Sequence, residues 1–213
     1  VWQQARAAAI GPVVVAAAEA EIVQAIGQAG GHAVLTDPDL PSGSDRVFQA
    51  LTAFDPAGYH DAIVNLQGDL PALDPGAIRA VAAALRAGDA DIATLAAEIT
   101  DPADFDNPNV VKPVVAWAPD KQTGRALYFT RARAPAGDGP LFHHIGIYAY
   151  RREALARFVA LPPSPLEQRE KLEQLRALEA GMTIAVARVD QVPLSVDTAD
   201  DLAKARALLG AAS

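Results

Sequence analysis

The chain contains no cysteine, which excludes disulfides, thiolate metal sites and a cysteine nucleophile together. It is short of positive charge. Eighteen Lys and Arg stand against 26 Asp and Glu, for a net charge of −8 and a pI near 4.9. A general nucleic-acid binder needs a basic face, so that class is set aside. A small nucleotide stays open, because one pocket needs only a few cations or a metal ion. No uninterrupted apolar run reaches the roughly 18–20 residues of a membrane span. The alanine-rich stretches are broken by charge and glycine. No secretory signal, internal repeat or low-complexity linker is present. The expectation is a soluble, cytoplasmic protein with neither nucleic acid nor membrane as partner. An initiator Met is absent too, and Val1–Ala8 reads as the middle of a helix ending at Gly11-Pro12, so residues upstream of Val1 are expected.

What the chain does have is core. Its 213 residues are 51% hydrophobic and 21% charged, enough for a single domain, 1–213. Short β-branched runs alternate with Ala- and Leu-rich helical stretches, the pattern of an α/β fold. Strands are predicted at 13–16, 32–36, 62–66 and 92–97, with helices at 20–29, from a Ser44-Asp45 cap to Phe54, and from Asp74-Pro75 onward. After Thr100 the rhythm changes. Strands at 110–117, 126–130 and 142–150 follow one another with no long helix between them. This strand-rich excursion, 107–150, suits a subunit contact. Helices return at 153–160 and as one helix over about 166–180, then a strand at 183–189 and a last helix at 197–209.

Several short motifs could carry chemistry. Val64-Asn65-Leu66-Gln67-Gly68-Asp69 ends a buried strand in an aspartate, at the strand end where open α/β sheets bind ligands. Asp69 either turns the chain or holds a divalent metal, and Mg²⁺ is suited to one or two carboxylates plus phosphates. Asp197, at the head of the last helix, is either a helix cap or a second carboxylate on the same ion. Pro41-Ser42-Gly43-Ser44-Asp45-Arg46 is a helix entry whose N–H groups could meet a base or phosphate. Along His143–Tyr150, the even positions His144, Gly146, Tyr148 and Tyr150 share one strand face. Imidazole, phenol and the space at Gly146 suit a polyhydroxylated ligand, while a satisfied core histidine is the plainer reading. Arg131 and Arg133 are candidates to hold an anion, and Glu173-Gln174 lies on an otherwise amphipathic helix.

Eight segments, in order, resemble the CMP-Kdo synthetase family, cytidylyltransferases that activate the eight-carbon acid sugar of bacterial lipopolysaccharide. They are 40–46, 64–69, 107–112, 128–132, 144–150, 162–167, 172–179 and 196–198, from Leu40-Pro41-Ser42-Gly43-Ser44-Asp45-Arg46 to Val196-Asp197-Thr198. The resemblance implies a nucleotide-diphospho-sugar-transferase-like fold: a mainly parallel sheet with helices on both faces, and a homodimer paired through the excursion. It implies the reaction CTP + Kdo → CMP-Kdo + pyrophosphate, with Mg²⁺ and no protein nucleophile. On it, Asp69 and Asp197 would hold the metal, and Ser42, Gly43, Arg46 and Gln67 the nucleotide. Arg131, His144, Tyr148, Glu173 and Gln174 would hold the sugar. Three departures stand out. The family's first strand and its basic triphosphate loop are not in the sequence. Ala17-Ala18-Glu19 replaces a Thr-Asp-Asp-like turn, and Leu70 replaces an acidic residue after Gly-Asp. The rivals are a sialate-type cytidylyltransferase and a non-catalytic nucleotide- or sugar-binding paralogue.

Overall fold

The computed structural model describes residues 1–196 and 198–210. It opens with α1 (Trp2–Ala8), then two short parallel strands, β1 (Val14–Ala17) and β2 (His32–Leu35), joined through α2 (Ala20–Gln28). Gly30 turns the chain out of α2 at a φ of 77°, where the lack of a Cβ removes the clash. Next come α3 (Gly43–Phe54), β3 (Ala62–Asn65), α4 (Pro75–Arg86) and β4 (Ile92–Glu98). The excursion supplies β5 (Lys112–Trp117), β6 (Thr123–Thr130) and β7 (Phe142–Arg151). The chain finishes with α5 (Arg152–Val159), α6 (Pro165–Glu170), α7 (Gln174–Glu179), β8 (Ile184–Val189) and α8 (Ala199–Gly210).

Strands β3 to β8 form one sheet in the order β3-β7-β4-β8-β6-β5. β3, β4, β5 and β8 point one way, with β6 and β7 against them. Most strands therefore share a direction, as expected, while antiparallel contacts enter through the excursion. The reason is connection length: β3 and β4 are joined by a helix, whereas the closely spaced β5 and β6 can fold back directly.

Side chains along β4 alternate between two cores. Ile92 and Ala96 pack with Leu155, Phe158 and Leu175 on the face covered by α3, α5 and α7. Ala93, Leu95 and Ala97 pack with Ile78, Val81 and Leu85 on the face covered by α4 and α1. Helices thus lie on both faces. Burying each such Leu, Ile or Phe contributes about 1.5–3 kcal/mol, which is why β4 reads as almost continuous apolar sequence. β1 and β2 stand apart as a separate pair. Between β1 and β3 lies a cleft of about 590 Å³, lined by Val14, Val64, Leu85 and the inner side of α3.

Two local features depart from the sequence reading. The helix expected over 166–180 is two helices, α6 and α7, separated by Lys171 in the left-handed region at φ 55°. In an unbroken helix Leu172 would lie about 240° round from Leu166. The break resets the phase, so that Leu172 and Leu175 both enter the core. At the mouth of the excursion, Lys112 is completely buried. Its ammonium donates to the carbonyls of Asn107 (2.6 Å) and Arg131 (3.3 Å), tying the Pro- and Asp-rich loop to the end of β6. Burial lowers its pKa against the pull of Asp106 and Asp104.

Candidate active site

The N-terminus of α3 is one wall of the site. Its cap is Ser42, two residues ahead of the predicted Ser44: Asp45 N–H donates to Ser42 Oγ (3.2 Å), and Ser42 Oγ–H to Asp45 Oδ2 (2.6 Å). That frees Ser44, which is buried and donates to Glu173 Oε2 at 3.2 Å. Arg46 donates to Thr36 Oγ1 (2.6 Å) and to the Asp37 carbonyl (3.1 Å), anchoring the loop after β2. Gly43 lies against the Gln67 amide, and a Cβ there would come within 3.2 Å of Gln67 Nε2. Glycine is what lets Gln67 approach the first turn of α3. Gly43, Arg46 and Gln67 line the 590 Å³ cleft together.

The second wall is β7 with α7. His144, Tyr148 and Tyr150 form an aromatic row on one face, with ring centroids 5.5 and 5.9 Å apart. Phe129 meets the His144 ring edge-on at 5.0 Å. Burial, aided by His143, lowers the His144 pKa to about 3, so the ring is neutral at any physiological pH. Burial likewise holds the Tyr148 and Tyr150 phenols well above their usual range, and raises Glu173 despite its hydroxyl partners. Gln174 is buried, and its Nε2 has no hydrogen-bond partner; neither has Glu173 Oε1. An unpartnered buried amide is costly, about 1–3 kcal/mol, and such groups are repaid when a ligand supplies the missing bond. A smaller hollow of about 320 Å³, lined by Ser42, Leu172, Glu173 and Arg176, opens between the two walls.

The structure thus brings Ser42, Gly43, Arg46 and Gln67 to one wall, and His144, Tyr148, Glu173 and Gln174 to the other. The Ser44–Glu173 hydrogen bond joins them. Arg131 is placed differently. Its guanidinium donates to the carbonyls of Glu170 (2.8 Å), Pro108 (3.0 Å) and Lys171 (3.3 Å), so much of its hydrogen-bonding capacity is spent on backbone. Asp69 is exposed just beyond β3. One oxygen, Oδ2, accepts from Ser195 Oγ at 3.3 Å, and its carbonyl accepts from Val196 N–H at 2.8 Å. Asp197 lies outside the described residues. Asp69 is a hard oxygen donor open to solvent, which fits a Mg²⁺ ligand. Among the described residues, no three His, Cys, Asp or Glu side chains form a metal-binding group by themselves.

Three buried polar residues on the same side of the sheet were not expected in the site: Ser44, read as a helix cap, Asn65 and Thr94. Asn65 sits opposite Tyr148 in the β3–β7 ladder, with its Nδ2 unpartnered. The available signal was a polar residue at an inward position of an apolar strand, in Val64-Asn65-Leu66 and Ala93-Thr94-Leu95.

An open α/β sheet with these two polar walls at a helix entry places the chain among the nucleotidyltransferases. It belongs to the cytidylyltransferase family, whose model matches residues 1–184. It is 68% identical to a 3-deoxy-manno-octulosonate cytidylyltransferase of Rhodospirillum centenum, over 98% of this chain and 81% of that one. It is 66% identical to the protein of that name in Parvibaculum lavamentivorans, with the same coverage. Among solved structures, a CMP:2-keto-3-deoxy-manno-octonic acid synthetase complexed with CTP superposes with a TM-score of 0.89. It is 34% identical and matched over 100% of this chain and 86% of that one. A 4-diphosphocytidyl-2C-methyl-D-erythritol synthase from Anaerococcus prevotii, 13% identical, shares the fold at a TM-score of 0.61 over 98% of this chain and 86% of that one.

Proposed function

We propose that this enzyme transfers the cytidylyl group of CTP to Kdo, giving CMP-Kdo and pyrophosphate for lipopolysaccharide synthesis. The anomeric hydroxyl oxygen of the sugar bonds to the α-phosphorus, the α–β phosphoanhydride bond breaks, and pyrophosphate leaves with the electron pair. The hydroxyl proton passes to solvent. No covalent enzyme intermediate is needed, because positioning and charge stabilisation can carry the step. The observation that carries the reading is the pair of walls joined through Ser44 and Glu173, with unpartnered polar atoms on the second wall.

In this reading Ser42, Gly43, Arg46 and Gln67 hold the nucleotide. The Gln67 amide can both donate to and accept from a cytosine edge. His144, Tyr148, Glu173 and Gln174 take the sugar hydroxyls, and the unpartnered Gln174 Nε2 is a ready donor. Arg131 keeps the turn at Lys171 in place beside the sugar wall through its bonds to Glu170 and Lys171, and offers the rest of its fork to the sugar carboxylate. Asp69, with Asp197, would hold Mg²⁺. Bound there, the ion would neutralise charge on the phosphates.

The same reading makes the protein a cytoplasmic homodimer, since CTP is a cytoplasmic metabolite. The exposed Leu127 on β6, next to the edge strand β5, supports a subunit contact in the excursion. Among the described residues, no helix is long and apolar enough to cross a membrane. The test is pyrophosphate release from CTP with Kdo, with sialate, and with no sugar. Release with Kdo alone supports the proposal. Preference for sialate would install the sialate-type rival, and CTP binding without release would indicate a non-catalytic paralogue. A monomer in light scattering would remove the dimer.

A further inference from the structure

Placing His144 at the sugar leaves a choice between its two ring nitrogens, and the hydrogen bonds around it make that choice. Thr94 is fully buried on β4, opposite Tyr148 of β7. The next pair in the ladder is Leu95 with Ile145, so Gly146 and Ile147 are extra residues bulged out of register. The Thr94 hydroxyl caps this bulge. Its oxygen lies 2.8 Å from the Ile147 carbonyl oxygen and 3.2 Å from that of Ile145. Its third neighbour is Nε2 of His144, at 3.0 Å.

A hydroxyl has one proton to give, and a carbonyl oxygen can only accept. Were the Thr94 proton directed at His144, both carbonyls would face lone pairs inside a desolvated sheet. Directed at the carbonyls, it leaves Oγ1 to accept, so Nε2 must carry the hydrogen. A neutral imidazole carries one N–H, and this ring is kept neutral by burial. Phe129 and Tyr148, packed against it at 5.0 and 5.5 Å, hold its plane.

We propose that Thr94 is a positioning residue: by accepting from Nε2–H it fixes His144 in a single tautomer and leaves Nδ1 as a pure acceptor for a sugar hydroxyl. The second half rests on the assignment of His144 to the sugar wall. The tautomer does not, so the two can fail separately. The test is ¹⁵N NMR of the full-length protein with labelled histidine, His144 being assigned by the signals lost in His144→Gln. A pyrrole-type Nε2 and a pyridine-type Nδ1 are expected. The opposite pattern in the wild type overturns the proposal, whatever any variant does. Thr94→Val should mix the tautomers and raise KM for Kdo about tenfold, with KM for CTP unchanged. Thr94→Ser should restore both. If Thr94→Val mixes the tautomers but leaves KM for Kdo unchanged, the positioning role stands and the sugar assignment of His144 falls. A fixed tautomer in folded Thr94→Val would overturn the role of Thr94.

Discussion

The two faces of β7 are built from the same ten residues and do different work. Toward α4, Ile145, Ile147 and Ala149 are sealed into an apolar cluster with Leu95, Val81 and Leu85. Toward α3 and α7, His144, Tyr148 and Tyr150 meet Thr94, Asn65, Glu173 and Gln174, several of them buried with unpartnered atoms. The first face is satisfied by packing alone. The second carries polar atoms that no protein group pairs, on Asn65, Glu173 and Gln174. One strand thus separates an apolar face from a polar one by parity, because successive side chains leave on opposite sides.

Four substitutions can break or sharpen that division. The largest effect should arise at the strand ends, where neither face dominates. Asp69→Asn removes a charge that pairs with no cation among the described residues, so turnover should fall on the order of a thousandfold while the melting temperature holds. Equal losses of activity and stability would reassign Asp69 to the fold. On the apolar face, Ile147→Ala should cost about 2–5 kcal/mol of unfolding free energy in urea titration, with KM for either substrate unchanged in the folded fraction. A shift in the KM for Kdo would show that the faces communicate.

On the polar face, His144 should make stability depend on acid. The unfolded imidazole takes a proton near pH 6.5 and the folded one only near pH 3. Stability is therefore intact above 6.5 and is lost as pH falls from there toward 3, on the order of a few kcal/mol in all. Unfolding titrations across that window should show a flatter slope in His144→Gln. Asp55 gives a lower-pH reference. Its carboxylate accepts from Tyr59 N–H, His60 N–H and Arg152, and sits well below its ordinary range. Its contribution is lost only below about pH 4. The smallest effect tests the unpartnered amide directly. Gln174→Met should leave stability equal or raise it by about 1 kcal/mol, while weakening Kdo binding about tenfold in calorimetry. A destabilised variant that keeps wild-type Kdo affinity would show that Gln174 belongs to the core.

The parity of β7 was legible because a period of two survives any context that buries a strand. The division of the chain between helices and strands was legible from composition, because β-branched runs alternate with Ala- and Leu-rich stretches. The break between α6 and α7 was not, since the left-handed residue there is a lysine rather than the glycine that usually marks such a stop. Ser42 and Ser44 are both good caps by chemistry, and only the fold shows that Ser44 is committed to Glu173, 129 residues away. Arg131 was legible as an anion candidate, but its ties to the Glu170, Pro108 and Lys171 carbonyls were not, because a sequence shows the donor and hides its acceptors. The candidate site as a set came through resemblance, because its members are spread from Ser42 to Gln174 and no local spacing joins them. Asn65 and Thr94 were left out for the opposite reason: a lone small polar residue in an apolar strand carries no motif.

The bulge at Gly146 and Ile147 also sets a rule for how this strand tolerates changes in length. Two extra residues are accommodated because an even number returns every later side chain to its own side. A single deletion within the bulge, pinned at Tyr148 by its partners, would turn the His144 imidazole toward α4 and press Ile145 into the aromatic row. Deleting both residues would keep each side chain on its side and erase only the kink that Thr94 caps. Length variation in this segment should therefore be accepted in pairs and rejected singly, an even–odd alternation in expression yield that a small deletion and insertion series would expose.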